Sequence, residues 1–134
     1  MEMRNVGLIA LGATIMLAAV SGTALAAGDA AKGKAAFAKC GICHQIGEGA
    51  KPLIGPPLNN IVGAKAASQA GFAYSPGLKK LGDGGLVWTE ENIDKWIHDP
   101  KAMVPDSPMA LAFQGIPDAG ERADIIAYVK TFSK

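Results

Sequence analysis

Cys40-Gly41-Ile42-Cys43-His44 holds both cysteines of a 134-residue chain and one of its two histidines. Residues three apart on a helical turn point to the same side, so the two thiols face one way and an imidazole follows at once. Four chemistries can use such a stretch. A disulfide between Cys40 and Cys43 closes a very small loop and leaves His44 idle. A thioredoxin-like redox pair belongs in a βαβ setting, and no strand pattern surrounds this one. A structural zinc site needs a second pair of ligands, and outside the motif only His98 or carboxylates could complete it. The fourth is covalent attachment of a c-type haem, a recognised meaning of C-x-x-C-H. In that chemistry no residue is idle. Each thiol adds to one vinyl group of the porphyrin, and His44 supplies a nitrogen to the iron.

The bulk properties agree with that choice. The length favours one domain, and a net charge of +1 implies neither a nucleic-acid nor a membrane-surface partner. The N-terminus has its own character. Arg4 precedes an uncharged run from Val6 to Val20, and small residues follow, with Ala24-Leu25-Ala26 matching a small-x-small cleavage site. This is the pattern of a secretory signal peptide over residues 1–26. The alternative, a retained membrane anchor, is disfavoured because the run is short for a span and rich in Gly and Ala. Residues 27–134 then form the exported, periplasmic domain, in an oxidising compartment. A domain of this size is near the low end for a self-sufficient core. With only two Trp, two Tyr and four Phe, it gains from something else at its centre.

The coarse reading is all-α. Asp29 can cap a first helix through about Lys39, with Gly33 and Phe37 on one face. Ser75-Pro76 opens a short second helix, with Gly82 as its stop. Thr89 opens a third, in which Glu90 and Glu91 complement the dipole and Ile93, Trp96 and Ile97 form a stripe; Pro100 ends it. Asp118 and Glu121 make a capping-box-like start to the last, with Ile125, Ile126, Val129 and Phe132 as its stripe. Between these four helices, residues 47–71 and 100–117 are rich in Gly and Pro. Long structureless loops are unusual in a compact domain, and they make sense wrapped around a large bound group. A sixth iron ligand could come from Met103, Met109 or His98, and spacing alone leaves the choice open. His98 reads more readily as a surface residue near a helix C-terminus.

The chain resembles a class I cytochrome c of the bacterial type similar to the mitochondrial protein. The likeness covers nearly all of residues 27–134. It rests on GDAAKGKAAFAKCGICH (28–44), GPPLNNIVG (55–63), AGFAYS (70–75), WTEENIDKWIHDPKAMVPDSPMALAF (88–113) and ERADIIAYVK (121–130). The resemblance implies one haem c bound through Cys40 and Cys43, with His44 and Met109 as the iron ligands and Met103 as a packing residue. It implies that the Pro56 carbonyl accepts a hydrogen bond from His44, and that Tyr74 and Trp88 donate to a haem propionate. Gly33 would let the first and last helices cross, with Phe37 and Tyr128 at the crossing, and Arg122 would brace the last helix. Ala64 stands where the family often has an Arg for the propionate, with Lys65 beside it. Trp96 replaces a Tyr that reaches the Met sulfur. One extra residue after Met109 leaves either Leu111 or Phe113 to cover the haem edge.

The function implied is that of a one-electron carrier, not an enzyme, in a respiratory or photosynthetic chain. Its partners would be a quinol-oxidising complex, a terminal oxidase, a reaction centre or a dehydrogenase, and it would be a monomer. The rival reading is a dedicated electron-acceptor subunit of one periplasmic dehydrogenase. Lys39 and Lys101 match positions where family members dock. N-terminal sequencing of protein recovered from the periplasm is expected to begin Ala27-Gly28-Asp29; a chain that retains Met1 to Ala26 would refute the processing site.

Overall fold

The computed structural model describes residues 27–134; the signal-peptide assignment lies outside the described residues. Among these, the chain is helical, with seven segments: α1 (Ala30–Ala36), α2 (Ala38–Gly41), α3 (Pro76–Asp83), α4 (Glu90–His98), α5 (Pro100–Met103), α6 (Pro108–Ala112) and α7 (Ala119–Lys130). The four helices expected from sequence are present, the first broken at Phe37 into α1 and α2. Two short segments, α5 and α6, go beyond that expectation, and they lie inside the Gly- and Pro-rich stretch that reads as a loop.

Each start has a side-chain cap, apart from the break between α1 and α2. The Asp29 carboxylate accepts from the N–H groups of Ala31 and Lys32 at 2.8 and 3.0 Å. Thr89 Oγ1 accepts from Asn92 at 3.1 Å. Three helices begin with the same device, a capping side chain followed by Pro at the first position, where a missing N–H costs nothing. These are Ser75-Pro76, Asp99-Pro100 and Ser107-Pro108. Pro100 therefore both follows the end of α4 at His98 and opens α5. Asp118 caps α7 through the Glu121 N–H at 2.6 Å. The capping box is only half made, because the Glu121 carboxylate pairs with Lys39 instead.

The frame is the crossing of α1 over α7. A Cβ on Gly33 would lie 1.9 Å from the Asp124 carbonyl oxygen, so only hydrogen fits between the two backbones. Beside it, Phe37 meets Tyr128 edge-on at 5.4 Å, and the Asp124 carboxylate accepts from the Asp29 N–H at 2.7 Å. Phe37, Ile125, Ile126 and Val129 join Trp88, Ile93, Ile97 and Ile116 in one buried cluster. Arg122 ties α7 to α4: its Nε donates to Asp94 at 2.7 Å, and its Nη1 donates to the carbonyls of Ile116 and Pro117 at 2.9 and 2.8 Å. Those bonds satisfy a largely buried guanidinium, which would otherwise be costly to desolvate.

The long loop after His44 is held at both ends. Residues 63–66 run antiparallel to 86–88 through Gly63 to Trp88 (2.8 Å), Trp88 to Ala64 (2.8 Å) and Ala66 to Leu86 (2.9 Å). Gly82 does not stop α3. It is buried inside the helix, where a Cβ would fall 2.2 Å from the Ala66 carbonyl oxygen, and the chain turns at Gly84 and Gly85, the latter at φ +98°. At the other end, the Asn60 N–H donates to the Phe132 carbonyl at 3.0 Å, and Asn60 Oδ1 accepts from the Lys134 N–H at 3.2 Å. Gly33→Ala is expected to lower stability by at least about 2 kcal/mol, since backbone cannot repack around an added methyl. Guanidinium denaturation of the haem-loaded protein checks this, as a lower midpoint at unchanged slope.

Candidate functional site

The Cys40–His44 turn continues α2. The N–H groups of Cys43 and His44 both donate to the Cys40 carbonyl, at 3.1 and 2.9 Å. Cys40 and Cys43 are half-buried, and neither is in a disulfide. Burial pushes the Cys40 thiol up to about 11, against the pull of the Lys39 ammonium. It is therefore a neutral thiol near pH 7 and a poor nucleophile for disulfide exchange, which disfavours the redox-pair reading. Among the described residues, no three His, Cys, Asp or Glu side chains are grouped to hold a metal ion, and His98 is exposed at the far end of α4.

His44 Nδ1 lies 2.7 Å from the Pro56 carbonyl oxygen. A carbonyl only accepts, so Nδ1 carries the proton and Nε2 keeps its lone pair. Burial lowers the imidazole pKa, and the bond to Pro56 works in the opposite direction. The ring lies against the backbone of Gly55, where a Cβ would come within 2.3 Å of Cε1. Gly41, inside the motif, has nothing within 4 Å of its Cβ position. Its hydrogen is thus dispensable, whereas that of Gly55 is not.

Met109 is the second residue of α6 and packs against the same buried cluster as Cys40. Two contacts fix its helix. The buried Ser107 hydroxyl accepts from the Ala110 N–H at 3.0 Å, and Asp106 Oδ2 accepts from the Gly77 N–H at 3.0 Å. Met103, at the end of α5, packs against the same cluster and also lines an outer cleft of about 880 Å³ with Leu81, Leu86 and Val104. No residue of the Cys-His motif reaches that cleft. Phe113 packs against the core, whereas Leu111 is 78% exposed.

Tyr74 is half-buried, and burial raises its pKa. Its hydroxyl oxygen accepts from the Gln69 N–H at 3.2 Å, which leaves its own hydrogen to give. Trp88 is buried against Trp96, with ring centroids 5.6 Å apart. Lys65 is exposed, in the ribbon facing Val87. Hydrogen bonds thus bring Cys40, Cys43, His44 and Pro56 together directly. Tyr74 joins them through Gln69, whose side chain donates to the Pro57 carbonyl at 2.7 Å. Sequence reasoning does not single out Gly55, Ser107, Asn59 or Gln69. Ser107 does carry a readable signal, the same Ser-Pro pair recognised at Ser75-Pro76.

A covalently held haem fits these residues. Two thiols stand one turn apart, an imidazole has one nitrogen committed and one available, a backbone cradle admits no Cβ, and a thioether side chain packs on the shared core. The family model for cytochrome c matches residues 30–133. The chain belongs to the cytochrome c family. This cytochrome is 47% identical over 111 residues to cytochrome c2 of Rhodomicrobium vannielii, covering 83% of this chain and 85% of that one. It is 39% identical to cytochrome c-554 of Methylosinus trichosporium, covering 97% of this chain and 95% of that one. Among solved structures it is similar to cytochrome c2 from Rhodospirillum centenum. There the TM-score is 0.74 and the identity 38%, covering 80% of this chain and all of that one. Cytochrome cH from Methylobacterium extorquens gives a TM-score of 0.69 at 45% identity, covering 78% of this chain and 99% of that one.

Membership carries the cofactor and the activity. The chain is an electron carrier, not an enzyme, and its haem c is bound covalently through Cys40 and Cys43. Gly55→Ala is expected to lower the yield of haem-loaded protein at least about tenfold, as loss of an outer support of a metal ligand does. Gly41→Ala is expected to keep the parent yield and visible spectrum. The check is absorbance per mole of polypeptide after expression with haem-attachment machinery.

Proposed function

We propose that this cytochrome is an exported, periplasmic one-electron shuttle of a respiratory or photosynthetic chain, with its iron held between His44 and Met109. The observation that carries the ligation is the His44–Pro56 hydrogen bond at 2.7 Å. It fixes the tautomer, leaves Nε2 as the ring's only donor, and raises its basicity toward a metal. Met109 would be the counterpart, as the family resemblance implies, while Met103, on a helix of the same capped, proline-started kind, also lines the outer cleft. Among the described residues, no helix is long and apolar enough to cross a membrane.

When bound, the haem supplies an iron that takes up and returns one electron. The chain's residues set how readily. Two protein ligands leave no coordination position for a substrate. A thioether ligand favours the ferrous state and raises the reduction potential. Burial acts in the same direction, because the ferric form carries one more positive charge into a low-dielectric interior. Tyr74 and Trp88 would give hydrogen bonds to a propionate, the first through its free hydroxyl hydrogen and the second through its indole N–H. Ala64 brings no guanidinium there, and Lys65 is exposed.

Transient redox partners need only small interfaces. Lys39 and Lys101 are both exposed, but Lys39 is paired with Glu121. Electrostatic steering therefore contributes little to encounter with a quinol-oxidising complex, an oxidase or a reaction centre. The ferric parent is expected to show the weak near-infrared sulfur-to-iron band. Met109→Ala should abolish it and Met103→Ala should keep it. A band that survives Met109→Ala would overturn the ligand assignment.

A further inference from the structure

Pro56 and Pro57 stand together in the loop that faces His44, and neither has a backbone N–H. The segments 43–47 and 55–59 run side by side as a short ladder. Gly55 donates to the Cys43 carbonyl at 2.9 Å, and Leu58 donates to the Gln45 carbonyl at 3.0 Å. Between these rungs the prolines contribute acceptors only, and one of those acceptors is the carbonyl on His44 Nδ1. A ladder missing its central donors cannot hold that carbonyl by backbone alone.

Two side-chain amides supply what is missing. Asn59 makes both bonds to one residue: its Oδ1 accepts from the Gly47 N–H at 2.9 Å, and its Nδ2 donates to the Gly47 carbonyl at 2.8 Å. A primary amide used this way imitates a strand neighbour and closes the ladder beyond Leu58. Gln69 works from the outside, its Nε2 donating to the Pro57 carbonyl at 2.7 Å. Both side chains are half-buried, where hydrogen bonds are less weakened by water.

We propose that Asn59 and Gln69 are positioning residues, whose amides hold the Pro56 carbonyl on His44 Nδ1 and thereby set the basicity of Nε2 toward the iron. This rests on the reading of His44 as an axial ligand. The amides bond to Gly47 and to the Pro57 carbonyl, not to the His44 ring. Each acts through the loop. When the loop slackens, the Nδ1–H···O bond lengthens, the imidazole becomes a weaker donor, and the ferric state loses more than the ferrous state.

The test uses haem-loaded protein carrying Asn59→Ala, Asn59→Asp or Gln69→Ala. Asn59→Asp keeps the acceptor for the Gly47 N–H but opposes the Gly47 carbonyl with lone pairs, so it should behave like Asn59→Ala. The readouts are hydrogen exchange of the His44 Nδ1 proton by NMR and the midpoint potential. Exchange is expected to quicken at least about tenfold, and the ratio of reduced to oxidised protein at fixed ambient potential to rise about threefold, effects of the kind seen when a metal ligand's outer partner is lost. If Asn59→Ala does not fold, Asn59→Asp and Gln69→Ala carry the test. Variants that lose thermal stability but keep the parent's exchange rate and potential would show a merely structural role and overturn the proposal. A parent protein without hyperfine-shifted His44 ring signals in its ferric state would instead remove the ligation reading, and this inference with it.

Discussion

Everything in this molecule hangs on the backbone contact between α1 and α7 at Gly33. The two helices lie at opposite ends of the described chain, and bringing such distant segments together costs loop-closure entropy. Burial at a single place offsets that cost: glycine lets the backbones touch, Phe37 and Tyr128 meet edge-on beside the contact, and Ile125, Ile126 and Val129 carry the apolar face into the core. The attachment turn follows α1 directly, so the position of Cys40 and His44 is inherited from this crossing. Lys39 and Glu121 add a charge link between the same two elements.

The second constraint is that the chain between these helices has little regular structure of its own. Its backbone groups are satisfied by caps, ribbons and side-chain amides instead. The segment before Met109 is the clearest case. Asp99, Asp106 and Ser107 each accept from a backbone N–H, and Pro100, Pro105 and Pro108 stiffen the spaces between them. Proline reduces the freedom of the unfolded chain, so a strap of this composition loses less entropy when it is ordered. That would suit Met109 in its proposed role, since a soft sulfur donor has little binding energy with which to organise a loose loop.

Much of this is legible in the sequence because it is local. The caps at Asp29, Ser75, Thr89 and Asp118 sit within three residues of the N–H groups they bind, and the motif at Cys40–His44 spans a single turn. The family resemblance puts Gly33, Pro56 and Arg122 where the structure finds them. Two local signals mislead. Asp99-Pro100 and Ser107-Pro108 repeat the Ser75-Pro76 start, yet they lie in a stretch whose prolines suggest only loop. Gly82 has the look of a helix stop, whereas its real neighbour is the Ala66 carbonyl, sixteen positions away in sequence. Asn59 and Gln69 are beyond reach for the same reason. An amide's partner is chosen by tertiary packing, and nothing in its flanking residues says which carbonyl it will meet.

The latch at Asn60 has a practical side. One residue, next to Asn59 and in the left-handed region at φ 58°, holds both the Phe132 carbonyl and the Lys134 amide. The tail is thereby stitched to the loop that backs the His44 ring. A purification tag or immobilising linker joined after Lys134 would pull on that stitch, so electrodes and affinity matrices are better attached through an engineered cysteine elsewhere on the exposed surface.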